Sequence, residues 1–484
     1  MTNQVISQAD QTGPDSAPTR LDRSTYPSDP AADIRIVHIG LGAFHRAHQA
    51  WYTDQVDPDR QWGIAAFTGR SPAAAEVLSE QDGLYTLVTR SAEADDFEVM
   101  QSIVAAYDGA DLDRLRDLIA APATAIITLT VTEAGYLLDA DGRLDTTDAT
   151  VADDVARLRR MLGRPDSSGT GAADSDSVPA SMAARVVVSL NARRDAGSGP
   201  IAIVSCDNLA ANGTAASHAI TDMAAEVDPE LARWIGSEVS FVDTSIDRIT
   251  PRTTDDDRVS VARATGYADQ SPVIAEPFHS WVLRGEFPAG RPAWEDAGAV
   301  FVDEIEHFER RKLWLLNGAH SLLAYAGSLR GHGTVAEALD DPRCAGWVEE
   351  FWNEAQRHLT EPELEIPSYR AALLARFSNS RIAHHLAQIG MDGSSKLRMR
   401  AVPVLKAERE AGRSGEAAAR MIAAWTDFVS TADPLRDARA EQIGSALEFV
   451  GRERVRQLVT LLDPDLAEDA AVIGLIESLC GSFR

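Results

Sequence analysis

Only three cysteines occur in 484 residues, with no CxxC pair and no HExxH stretch, so neither a disulfide framework nor a cysteine or thermolysin-type zinc site is expected. Cys206, Cys344 and Cys480 stand far apart, the pattern of a reduced, cytoplasmic protein with no bound metal. Positive charge is scarce too: 46 Lys and Arg face 74 Asp and Glu, a net charge of −28. That balance argues against nucleic acid and anionic membrane surfaces as partners. It is read as a solubility device rather than a substrate preference. No apolar run reaches the length that spans a bilayer. Residues 1–30, rich in Ser, Asp, Pro and Gln, lack the apolar core of a signal peptide and are expected to form a disordered tail. The chain of 484 residues is 44% hydrophobic, enough to bury two substantial cores. Nothing demands an oligomer, and a monomer suits two domains of this size.

The order of elements predicts the fold class, α/β. Short β-type runs at Ile34–Ile39, Trp62–Phe67, Tyr85–Thr89, Ala125–Val131, Ile201–Ser205 and Val239–Val242 alternate with helical patterns. The helical patterns lie at Asp111–Ile119, Ala149–Met161, Ser181–Arg193 and Ala215–Glu226. This alternation predicts a Rossmann-like doubly wound parallel sheet over residues 31–290. Gly163–Pro179 reads as a low-complexity loop. Gly and Pro cluster at Gly285–Asp296, and from about Val300 nearly every segment reads as helix, including Asp303–Ala326 and Ile382–Gly390. Residues 291–484 are therefore expected to form a mostly α-helical substrate and catalytic domain.

Two segments carry chemistry. In the first, Ile34–Ile39 runs straight into Gly40-Leu41-Gly42, a glycine pair between strand and helix where backbone can approach a pyrophosphate. The third glycine of that fingerprint is absent, and His45 stands there. In the second, Lys312, Asn317 and His320 sit inside an apolar helical run, with Glu309 one turn before the lysine. With about 100° per residue and Lys312 at zero, Glu309 falls near about 60°, His320 near about 80° and Asn317 near about 140°. All four thus share one broad face. Four polar side chains in an apolar stripe need partners, because each unpaired buried group costs kilocalories. A buried lysine loses basicity and can act as a general base near neutral pH. The same spacing also fits a surface lysine followed by a structural Asn-Gly kink and a capping histidine.

Several further motifs follow in order: Thr130–Tyr136 (TVTEAGY), Ser205–Asn208 (SCDN), Asp247-Arg248-Ile249, Arg376–Asn379 and Asp392–Lys396. The ordered set resembles the polyol-specific long-chain dehydrogenase/reductase family, the mannitol 2-dehydrogenase and fructuronate reductase group, from about residue 30 to the C-terminus. The resemblance implies a metal-independent, NAD-dependent oxidoreductase that interconverts a polyol and a ketose. It implies catalytic roles for Lys312 as general acid/base, Asn208 and Asn317 as donors to the reacting oxygen, and His320 on a neighbouring hydroxyl. Glu309 becomes the candidate proton relay. Asp247, Gln388 and Lys396 are implied as substrate contacts, and Gly40, Gly42, Ala43, Phe44, Arg70 and Thr132 as cofactor contacts. One departure concerns the cofactor. No carboxylate follows Trp62–Phe67 until Glu76, and Arg70 with Ser71 can instead meet a 2′-phosphate, so NADP stands as the alternative to NAD.

Substrate identity is the open point. The family spans mannitol and arabinitol oxidation and keto-uronate reduction; D-mannitol/D-fructose is the lead. Some mannitol dehydrogenases carry an arginine eight residues before the lysine that matches Lys396, and this chain has Gln388, as in the fructuronate reductase (D-mannonate oxidoreductase) branch. A uronate needs a cation, which Arg376 or Lys396 can supply. A phosphopolyol enzyme would need a basic cluster. A reading from another class, a non-catalytic dinucleotide-binding sensor, has no reason to hold Lys312, Asn317 and Asn208 together.

Overall fold

The computed structural model describes residues 17–69, 71–163, 178–432 and 434–483. They divide into two compact units, Met1–Ile305 and Glu306–Arg484. Most of the expected loop Gly163–Pro179, residues 164–177, lies outside the described residues, as does Arg70.

The first unit is built on an eight-stranded sheet. Its strands are β1 (Ile34–Ile39), β2 (Gly63–Phe67), β3 (Ile103–Tyr107), β4 (Ile126–Leu129), β5 (Ile201–Ser205), β6 (Val239–Asp247), β7 (Ser280–Arg284) and β8 (Val300–Phe301). Their order across the sheet is β8-β7-β6-β5-β4-β1-β2-β3. The pairs from β3 to β6 are all parallel, giving the 3-2-1-4-5-6 order of a doubly wound dinucleotide fold. β7 then runs antiparallel to β6, and β8 parallel to β7.

Alternation along each strand feeds two cores. Val37, Ile39, Ala65, Phe67, Ile127, Leu129, Ile201 and Ile203 face one layer, packed under Leu112–Ala120, Met182–Ala196 and Asn212–Val227. Ile36, Ile64, Ala66, Ile126, Ala202 and Val204 face the other, against Tyr52, Trp281 and Trp294. With both faces covered, the strands read as continuous apolar runs.

Three expectations are corrected here. Tyr85–Arg90 is a strand but not part of the main sheet; it pairs with Asp95–Met100 and Val273–Ala275 in a separate three-stranded sheet. The expected disordered stretch does not hold up to residue 30: Thr19–Arg20 pairs with Tyr267–Ala268, and Leu21 is buried. The first unit also extends beyond residue 290, because β8 still completes the sheet, and the division falls after Ile305.

The second unit is helical. Glu306–Arg311 continues through Lys312–Gly318, Ala319–Leu322 and Leu323–Gly327, and Pro342–Ala355, Ile366–Phe377, Glu416–Val429 and Gly451–Leu462 are its longer helices. Leu315, Leu323, Phe351, Trp352, Leu373, Ile422, Trp425 and Leu458 are buried within it. The expected helix Ile382–Gly390 shrinks to Leu386–Ile389. The preceding residues pair instead with the start of the next-door helix: Val335 N–H donates to His384 O and Leu386 N–H to Gly333 O.

Candidate active site

The glycine turn sits where β1 and β4 diverge, at the switch point of the sheet. Gly40 has φ +114°, and a Cβ there would lie 2.1 Å from the Thr130 carbonyl oxygen. Only glycine meets both demands. Gly42 differs: its nearest neighbour to a built Cβ is Gly40 O at 3.6 Å, an ordinary contact. The protein itself therefore does not require a glycine there, whereas close approach of a pyrophosphate does. Ala43 and Phe44 open the short helix Ala43–Ala47, and Phe44 stacks on His48 at 5.0 Å.

His45 takes the third glycine's place by lying flat. Its ring stacks on His38 of β1, centroids 3.3 Å apart and nearly parallel. His38 is fixed in turn by Thr128 Oγ1 at 2.8 Å and Thr130 Oγ1 at 3.2 Å. Burial pushes His38 and His48 down to about 3 and His45 well below the usual imidazole range. All three are neutral at physiological pH, with His48 Nε2 donating to Ser280 O at 2.9 Å.

The turns after β4 and β5 meet at Asp207. Its carboxylate accepts the Val131 and Thr132 N–H groups at 3.1 and 2.7 Å, and the Tyr136 hydroxyl at 2.7 Å. Thr132 has φ +70° and ψ 159°, a region occupied almost only by glycine. Such a conformation costs on the order of 1–3 kcal/mol. Asn208 follows as an exposed residue. The next helix starts at Asn212 with Ala211 before it, so Asn208 is not its cap. Asp247 ends β6 beside Ser280 of β7. Arg248 turns inward, donating to Ala47 O at 2.5 Å and Glu276 O at 3.1 Å.

In the second unit Glu309 lies in the α-helix Glu306–Arg311, and Lys312 opens a π-helix, Lys312–Gly318. This changes the phase expected from a regular helix. The i→i+5 ladder turns less per residue than an α-helix, so Asn317 falls closer round to the Lys312 face than regular helical spacing puts it. The widened turn is held from outside. Trp352 Nε1 donates to Leu315 O at 2.8 Å, and Arg400 Nη1 to Asn317 O at 3.2 Å and Ser321 Oγ at 2.9 Å. Gly318 packs so closely that a Cβ would lie 2.5 Å from Phe351 Cε1.

His320 is buried between Phe377 and His384, each 4.7 Å away between ring centroids. Burial, then His384, Arg376 and Arg400, hold it well below its usual range, and its Nε2 has no hydrogen-bond partner among the described residues. It is neutral. Lys396 donates to Ile389 O at 3.0 Å, and burial followed by Arg400 pushes it down. Arg400 itself is lowered to about 10 by burial. Gln388 is exposed at the end of Leu386–Ile389.

Sequence reasoning missed Asp207, Asn212 and Arg400. Asp207 and Arg400 each lie in or just past a singled-out motif, next to Asn208 and four residues after Lys396. Their importance is a matter of hydrogen bonds across the chain, which spacing does not carry. Among the described residues no three His, Cys, Asp or Glu side chains are grouped to hold a metal ion, and no helix is long and apolar enough to cross a membrane.

A 3-2-1-4-5-6 sheet with a glycine turn at its switch point, followed by a helical unit bearing a lysine, an amide and a neutral imidazole on one helix, defines a Rossmann-type dehydrogenase. The chain belongs to the mannitol dehydrogenase family: residues 34–296 match the mannitol dehydrogenase Rossmann domain and residues 304–478 the mannitol dehydrogenase C-terminal domain. It is 33% identical over 470 residues to a D-mannonate oxidoreductase of Escherichia coli (strain K12), covering 92% of each chain. It is 35% identical over 406 residues to a mannitol 2-dehydrogenase of Cereibacter sphaeroides, 81% of this chain and 80% of that one. The Pseudomonas fluorescens mannitol 2-dehydrogenase, solved as a ternary complex with NAD and D-mannitol, matches with a TM-score of 0.75 at 31% identity, over 97% of this chain and 95% of that one. The protein is thus a nicotinamide-dinucleotide-dependent polyol oxidoreductase.

Proposed function

We propose that the chain interconverts a polyol and a ketose with NAD, using Lys312 as general acid/base, with D-mannitol and D-fructose as the lead pair. The observation that supports the assignment best is that Lys312 and Asn317 share one π-helical segment, on the helix that also bears the buried His320, held well below the usual imidazole range. Residue choice supports it. The chain has only three lysines, Lys312, Lys396 and Lys406, so 46 − 3 = 43 of its cations are arginines. Arginine does not deprotonate, and a general base must. Lys406 is tied to Asp463 at 2.5 Å.

The glycine turn fits a dinucleotide, since Gly40 is demanded by packing and Gly42 by approach of a ligand. A dinucleotide held at Gly40, Gly42, Ala43, Phe44 and Thr132 would supply the hydride acceptor for oxidation of the carbinol carbon and the hydride donor for reduction of the carbonyl. Neutral Lys312 takes the hydroxyl proton in oxidation, and its ammonium form returns it in reduction. Asn317 and Asn208 donate hydrogen bonds to the same oxygen as negative charge builds on it. Neutral His320 fixes an adjacent hydroxyl. Glu309 passes the proton onward, and Asp247, Gln388 and Lys396 hold further hydroxyls. Gly40, Gly42, Ala43, Phe44 and Thr132 receive the cofactor. The protein acts in the cytoplasm as a monomer.

A second substrate reading rests on its own observation. Arg376 and Arg400 both act on His320, and Arg400 also acts on Lys396. Asp392 and Asp437 also act on Lys396, and the arginines acting on His320 are the cations a substrate carboxylate, and hence a keto-uronate such as fructuronate, would need.

The test follows absorbance at 340 nm with NADH and NADPH separately. Fructose, fructuronate, tagaturonate and xylulose are the reductive substrates, and mannitol and arabinitol the oxidative ones. Fastest turnover of fructose with NADH is expected; a preference for fructuronate selects the second reading. Lys312→Ala and Lys312→Arg are both expected to bind NADH normally and to lose at least a thousandfold in kcat. Normal turnover by either variant would sink the lysine mechanism. NADH binding without turnover of any substrate would favour a sensor.

A further inference from the structure

The turn Thr130–Tyr136 and the residue before Asn208 are joined by a group to which no role has yet been given. We propose that Asp207 is a positioning residue that holds the turn after β4 in the strained shape cofactor binding uses. This rests on the reading that Thr132 contacts the dinucleotide. Asp207 is 6% exposed and its two oxygens are both occupied by the turn. Oδ1 accepts Thr132 N–H at 2.7 Å, while Oδ2 accepts Val131 N–H at 3.1 Å and the Tyr136 hydroxyl at 2.7 Å. Tyr136 Oη also lies 2.5 Å from Ser205 Oγ.

The clamp is anchored from behind. Asn212 Nδ2 donates to the Asp207 carbonyl and to Thr244 O, both at 2.8 Å, and Asn212 Oδ1 accepts Thr244 N–H at 2.8 Å. One network therefore ties together the ends of β4, β5 and β6.

Thr132 shows what the clamp is for. A β-branched residue at φ +70° and ψ 159° does not stay there unaided. Its own N–H makes a short bond to the carboxylate, and its neighbour's N–H a longer second one, and together they hold it. Two residues earlier, Thr130 is the partner against which Gly40 packs; its Oγ1 donates to Gly40 O at 2.8 Å. A strained turn fixed at Asp207 thus sets how closely the β4 turn approaches the glycine turn, and it places Asn208 by the same stroke.

The test uses the full chain and three variants. In Asp207→Asn, one face of the amide presents N–H to a backbone N–H and cannot accept it. Hydrogen exchange across residues 131–136 is expected to quicken at least tenfold, with β1 unchanged. The dissociation constant for NADH is expected to rise at least fivefold, with kcat at saturating NADH changed less. Adding Thr132→Gly, which lets the turn keep its shape without strain, is expected to recover most of that affinity. Thr132→Gly alone, a safeguard should Asp207→Asn fold poorly, is expected to raise the melting temperature. Unchanged exchange in Asp207→Asn, or a lower melting temperature in Thr132→Gly, would overturn the clamp. Faster exchange with unaltered NADH affinity would overturn its link to the cofactor. The exchange readout needs neither substrate nor turnover, so it stands apart from any failure of the lysine mechanism.

Discussion

Glycines at the dinucleotide turn separate two physical demands that a GxG pattern merges. At Gly40 the demand comes from the protein: φ +114° and a Thr130 carbonyl 2.1 Å from any added Cβ. At Gly42 the described residues make no such demand, since a built Cβ would come no closer than 3.6 Å to any of them, and the proposed pyrophosphate would supply it. Gly40→Ala is therefore expected to lose about 2–4 kcal/mol of stability in urea melts, combining strain with a clash. Gly42→Ala is expected to melt within about 0.5 kcal/mol of the parent and yet to bind NADH at least tenfold more weakly. Undiminished NADH affinity in Gly42→Ala would rule out close approach of a pyrophosphate at that residue. Both glycines were legible in the sequence, but the distinction between them was not, because it depends on Thr130, ninety residues away.

In the second unit the candidate residues are carried by helices. A regular helix was expected from the apolar pattern around Lys312, and it accounts for Glu309 and His320 near one face. It sets Asn317 well round from Lys312; the π-helix Lys312–Gly318 reduces that angle. Such a segment persists only when tertiary contacts hold it, here Trp352 on Leu315 O and Arg400 on Asn317 O. Gly318 lets Phe351 come close enough to complete that packing. Gly318→Ala should push the helix off Phe351, costing about 1–3 kcal/mol by overpacking. The expected signature is a fall in kcat larger than any rise in KM, since Asn317 moves with the helix. A companion Phe351→Leu should recover part of both, and an unchanged kcat in Gly318→Ala would mean that the π register is not needed for turnover.

For the molecule as a whole, buried neutral histidines set the acid limit. Burial holds His38 and His48 down to about 3, and His279 to about 4. In the unfolded chain each titrates near about 6.5, so between that pH and the folded value the unfolded state binds more protons. Stability is thus full above pH 6.5 and falls as pH drops toward the folded values, by on the order of 1–3 kcal/mol per histidine at pH 4. Glu408 adds to the loss at lower pH. Despite burial, hydrogen bonds from Arg413 and His358 and the charge of Arg357 hold its carboxyl at about 2. Thermal melts from pH 8 to pH 4 should show a midpoint flat to about pH 6.5 and then a steep fall. A flat midpoint down to pH 5 would mean that these imidazoles are protonated in the folded state.

Sequence alone determined the alternation of strand and helix, the switch to an all-helical second half, and the cluster of motifs that marks the family. These are local: period-two and helical patterns, glycines between strand and helix, and polar residues in apolar runs are written in neighbouring positions. Tertiary structure decided the rest. It moved Tyr85–Arg90 out of the main sheet, kept Val300–Phe301 in the first unit, turned Lys312–Gly318 into a π-helix, and gave Asp207 its grip on Thr132. Each of those outcomes is fixed by a partner far along the chain, whose hydrogen bond or packing outweighs a local preference of about one kilocalorie per residue.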